Sequence, residues 1–203
     1  MDIAYDFLKA IAGPATAVGL AWLVGNRLSA EWVLRQKKRE QSITTAAEFY
    51  RLYGEFFALW KMCNYAYRDS REELDAATQW DLMRRATALE ASGEAILFRI
   101  SSEVPLTPAD IRSLGLFRQG LQLLRQSILK RKILGWISSQ HPEYLAFKRL
   151  SVEVGKLALC VGSKPPPTSA VAQVQLEEVT HNKWSKAWPD GTGSATNEAA
   201  TEE

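Results

Sequence analysis

Few side chains in this sequence are suited to chemistry, and their spacing does not gather them. His141 precedes Pro142, and His181 lies towards the C-terminus. Neither has a second histidine or a cysteine at ligand spacing, so no metal centre is expected. No phosphate-cradling glycine loop, dinucleotide fingerprint or nucleophile elbow occurs. The two cysteines, Cys63 and Cys160, sit in apolar helical stretches without a CxxC pair, which favours buried free thiols over a disulfide. The expectation is a protein that is not an enzyme, with no cofactor and no evident small-molecule substrate.

The next candidates are aromatic and basic clusters. The stretch "AAEFYRLYGEFFALWKMCNYAYR" is dense in rings, but Ala46, Phe49, Tyr53, Phe56, Trp60, Cys63 and Tyr67 fall at alternating intervals of three and four. That spacing lines one helix face and predicts core packing rather than base stacking. Tyr50, Phe57 and Leu59 lie outside this seam and widen the apolar stripe enough to meet two neighbours or a partner. Gly54 permits close approach of another helix. Arg118, Arg125 and Lys132 recur every seventh residue beside a third seam, a pattern that usually marks a solvated face. The net charge of +2 supplies no global attraction to nucleic acid, so no nucleic-acid partner is expected on this composition.

The elements that position these residues are helices. Further seams run through Leu82, Ala86, Leu89, Gly93, Ile96 and Ile100, then Leu114, Phe117, Leu121, Leu124 and Ile128, then Phe147, Leu150, Val154, Leu157 and Val161. Polar breaks separate them. Ser70 with Glu73 resembles a capping box, Thr107 precedes Pro108 as an N-cap, "SSQHPE" closes the third helix and "GSKPPP" stops the fourth. Four matched seams joined by short breaks predict an antiparallel four-helix bundle over residues 29–163 of an all-α protein.

The start of the chain differs from the rest. Seventeen uncharged residues lie between Lys9 and Arg27. As a helix they span about 25 Å, slightly short of a hydrocarbon core of about 30 Å. With Gly13-Pro14 inside it, this stretch is expected to form a single transmembrane helix anchoring residues 1–28. The basic residues that follow, Arg27, Arg35, Lys37, Lys38 and Arg39, would collar the lipid headgroups and hold the body in the cytoplasm, with the N-terminus outside. Ala15, Ala17, Gly19, Ala21 and Gly25 give the span a small-residue packing face suited to self-association.

Residues 164–203 are expected to form a Pro-rich linker, a short Trp-bearing amphipathic segment and an acidic, partly disordered tail. Trp184 and Trp188 share a face of that segment, which either packs back on the bundle or serves as a docking peptide. These features together predict a membrane-anchored helical protein acting through a protein partner or as a homo-oligomer, with membrane lipid as a further partner. Two alternatives are a membrane-permeabilising effector of bacterial toxin or anti-phage type and a soluble helical subunit of a larger complex.

Overall fold

The computed structural model describes residues 3–68, 74–132, 134, 136, 138–181, 183 and 184; for residues 3–21, 23, 24, 26 and 68 it describes the backbone alone. Five helices follow in order: α1 Ile3–Arg68, α2 Ala76–Glu103, α3 Pro108–Leu129, α4 Pro142–Cys160 and α5 Ser169–Thr180. Among the described residues there is no strand, and the chain is all-α. By compactness it divides into two units, Met1–Glu40 and Gln41–Glu203.

Helix ends follow local chemistry. Thr107 caps α3 through a reciprocal box with Asp110, and Pro108 supplies a backbone angle already suited to a first turn. Helix α2 begins later than Ser70 would place it. Its cap is Asp75, whose carboxylate accepts from the Thr78 amide at 2.8 Å and from the Thr78 hydroxyl at 2.8 Å. Those bonds hold the Asp75 carboxyl below its ordinary range. Ser70 and Glu73 lie outside the described residues.

The seams become the core of the second unit. Every seam position expected on α2 and α3 is buried, and on α4 Phe147, Val154 and Val161 are buried while Leu150 and Leu157 are half-buried. Helix α1 contributes Ala46, Phe49, Phe56, Trp60 and Cys63 to the same core, and Leu59 joins them. Aromatic rings interlock at its centre. Phe147 stacks on Phe56 with centroids 4.2 Å apart and on Phe117 at 5.3 Å, while Trp60 stacks on Tyr144 at 4.6 Å. The Trp60 indole donates to the Trp136 carbonyl at 3.2 Å, which satisfies its polar edge inside the apolar interior. Helix α2 packs on α3, and α3 on α4.

Two ion pairs stitch α2 to α3: Arg118 with Glu94, and Arg125 with Glu90. Two of the three heptad-spaced basic residues on α3 are thus neutralised within the chain and do not form a free basic face.

The tail helix starts earlier than expected: α5 begins at Ser169, inside the stretch read as linker, and packs on α2 and α3. Its buried face consists of Gln175 and Val179. Gln175 accepts from the Leu106 amide at 2.9 Å and donates to the carbonyls of Ser101 and Val104 at 2.7 and 3.1 Å, pinning the α2–α3 turn.

The expected membrane span is corrected. Among the described residues no helix is long and apolar enough to cross a membrane, so the single-pass location is not supported. The physical reason is visible in α1. The uncharged stretch is short and rich in weakly apolar Ala and Gly, and over residues 27–40 a charge stands on every turn. The side chains of Ala15, Ala17, Gly19 and Ala21 lie outside the described residues, as does Trp188. The acidic segment after it lies there too.

Candidate functional site

The residues singled out by spacing do not converge. Gly25 lies on α1 with open space beside it, and Arg27, Arg35, Lys37, Lys38 and Arg39 are exposed along the same helix. Arg35 reaches Glu31 at 3.5 Å, an exposed i, i+4 pair of little energetic weight. Without a span beside them, these residues lose the position that would make them a headgroup collar. Trp184 packs inward. Its indole donates to the Glu178 carbonyl at 2.8 Å, and its ring lies so close to α3 that a Cβ on Gly115 would fall 2.4 Å from it. Trp184 is therefore engaged within the chain.

Buried nucleophiles are equally engaged. Cys63 lies in the core, and burial pushes its thiol up to about 12, against a smaller opposing pull from the Arg85 guanidinium. Cys160 is half-buried, and both cysteines are free. At pH 8.5 iodoacetamide is expected to alkylate Cys160 in the native chain and to reach Cys63 only after unfolding, as read by peptide mass spectrometry. Equal labelling of both under native conditions would contradict the packing. The sign of the linkage follows. The protonated Cys63 thiol stabilises the fold fully below its ordinary value of 9.0, and this contribution is lost as pH rises towards about 12.

A groove of about 530 Å³ lies between α1 and α2, lined by Arg51, Arg85 and Arg99 with Glu48 and Glu55. Its charges mostly cancel each other. Arg85 grips Glu55 through Nε at 3.1 Å and Nη2 at 2.7 Å, and Arg99 lies 3.6 Å from Glu48 and 3.5 Å from Glu103.

A second flank of α1 carries the stronger signal. The three residues placed outside the main seam separate in the structure: Leu59 enters the core, whereas Tyr50 and Phe57 stay outside it. With Ile43, Ala47 and Gly54 they form a second seam at intervals of four, three, four and three, all exposed to water. The large members are 55% (Ile43), 58% (Tyr50) and 37% (Phe57) exposed, and α4 adds Val152 at 54% and Leu159 at 46%. The two helices run side by side in opposite directions here. Ser42 donates to the Leu159 carbonyl, Phe49 and Tyr50 flank Gly155, and Phe57 faces Tyr144 with centroids 6.5 Å apart. The result is a two-helix apolar face.

Sequence spacing located Tyr50, Phe57 and Gly54 on this flank. It missed Val152 and Leu159, whose signal is a heptad interval on α4 offset from the core seam. Among the described residues no three His, Cys, Asp or Glu side chains converge to hold a metal ion. Comparison with protein-family models, with curated proteins and with solved structures finds no match to this chain.

Proposed function

We propose that this chain is a non-enzymatic helical interaction module. In this reading residues 41–68 of α1 form an antiparallel four-helix bundle with α2, α3 and α4, and the α1/α4 face docks another protein chain. The exposed second seam carries the reading. A helix that buries one 3–4 seam in its own core has no need of another in water, and each large apolar side chain left about half wet forgoes roughly half of the about 1.5–3 kcal/mol that full burial contributes. Helix-in-groove recognition uses such anchors. The pairing of Arg118 and Arg125 with Glu94 and Glu90 supports it further, because it removes the heptad-spaced arginines of α3 as a competing basic surface.

The test is a double variant, Tyr50→Lys with Val152→Lys. Both positions are exposed, so folding should be kept within about 1 kcal/mol. In extracts of its native cell the wild-type chain is expected to elute in a species larger than its own 22.7 kDa, and the variant at that mass. Identical elution of the two would defeat the proposal.

A further inference from the structure

The rim of the α1/α4 face is basic on both sides. On α1, Arg51 stands between this face and the groove shared with α2, and Lys61 continues the seam one step past Phe57; α4 borders the face with Lys148, Arg149 and Lys156. Among the described residues Arg51, Lys148 and Arg149 have no ion-pair partner, and Lys61 lies only over rings, 5.7 Å from Phe57 and 5.2 Å from Trp60. Lys156 alone is paired, with Glu153 at 2.9 Å. No carboxylate stands among the apolar residues of the face.

Within the face, small and large residues alternate along α1. Ala47 and Gly54 leave depressions one heptad apart, between the ridges of Ile43, Tyr50 and Phe57. A Cβ built on Gly54 meets nothing within 4 Å, so the chain's own packing does not require glycine there. Glycine in a helix interior is nonetheless disfavoured relative to alanine. Close approach by a second backbone is the physical use for such a position.

We infer that the occupant of this face is an amphipathic helix from a different protein, apolar along a 3–4 seam and flanked by Asp and Glu. The inference rests on the docking reading above and names the partner's chemistry. A second copy of this chain fits poorly, because symmetric pairing would bring two basic rims together and like charges repel. Carboxylates on an incoming helix would instead meet Arg51 on one side and Lys148 and Arg149 on the other. The guanidiniums can take them in bidentate fashion.

The experiment uses the full chain and two labelled synthetic helices of about 24 residues, long enough to hold helix once docked. Both carry the same Leu/Ala seam, one flanked by Glu and the other by Lys. Fluorescence anisotropy is expected to show the Glu-flanked helix binding at least about tenfold more tightly, with the advantage shrinking as salt is raised. Charge reversal by Arg51→Glu with Lys148→Glu should invert the preference. Gly54→Ala should raise the melting temperature of the chain while weakening the Glu-flanked helix, and Gly54→Leu should abolish its binding.

Equal binding of the two helices would overturn the acidic assignment while leaving the apolar face as a docking surface. So would a concentration-dependent dimer dissolved by Tyr50→Lys, because the occupant would then be a second copy. Absence of both probe binding and dimer, with the double variant eluting like wild type from extracts, would remove the docking reading itself.

Discussion

Phe147→Ala is expected to destabilise the fold by about 3–5 kcal/mol, the largest loss from any single substitution considered for this chain. The ring is fully buried and stacks on Phe56 from α1 and on Phe117 from α3, with Trp136 tilted against it at 5.2 Å. Alanine would remove contacts to all three at once. Neighbours already locked in ring-on-ring packing have little freedom to close the cavity. Urea titration followed by circular dichroism reads the effect. Phe57→Ala serves as the comparison: its ring is partly wet, so its loss should stay near about 1 kcal/mol. A Phe147→Ala loss below about 1.5 kcal/mol would mean that the stack is not the centre of the core.

The second large effect belongs to a polar residue. Gln175→Leu keeps similar volume but strips partners from the Leu106 amide and from the Ser101 and Val104 carbonyls. Buried backbone groups left unmatched cost about 1–3 kcal/mol each. A total of about 2–4 kcal/mol is expected, because some of them regain water when α5 loosens. The loss should be local. Hydrogen exchange is expected to accelerate through residues 169–180 and at Leu106, with the α2–α3 contacts protected as before. Unchanged protection of α5 would show that Val179 and the Trp184 contact at Gly115 hold that helix alone. Gln175→Glu offers a control on hydrogen-bond sense. It can still accept from the Leu106 amide, yet it loses the donor and places a carboxylate beside two carbonyls, so it should rescue little.

Helical periodicity made much of the second unit legible. Alternating intervals of three and four identify one helix face whatever lies opposite, and such faces are buried in most soluble helical arrangements. The seams of α2 and α3 illustrate this, as does the cap formed by Thr107 with Pro108. Caps are local chemistry, decided within four residues. Where spacing erred, the deciding contact was distant. Residues 169–175 look like linker because "SAVAQVQ" has a weak apolar face, and one buried glutamine matched to the distant α2–α3 turn supplies the reason they pack. The heptad-spaced arginines of α3 look solvated until Glu90 and Glu94 are placed opposite them.

The opening stretch failed for another reason. Insertion into a bilayer depends on apolarity summed over a full span, and seventeen residues weighted to Ala and Gly sum to little. Absence of charge is a weaker criterion than presence of large apolar side chains. The same contrast applies to the candidate face. Tyr50 and Phe57 were visible as surplus to one seam, yet whether surplus apolar residues meet a neighbour of the same chain or water depends on which helices flank α1.

Local pattern alone determined that the described residues are helical, where α3 begins, and most of the positions that α2, α3 and α4 turn inward, because each follows from interactions within a few residues along one helix. Tertiary structure alone decided which of those helices are neighbours. It paired the arginines of α3 with carboxylates of α2, seated Trp184 on Gly115 and drew α5 onto the turn between α2 and α3. It left Ile43, Tyr50, Phe57, Val152 and Leu159 in water. Burial is a property of the space between elements, and no spacing within one element specifies what fills that space.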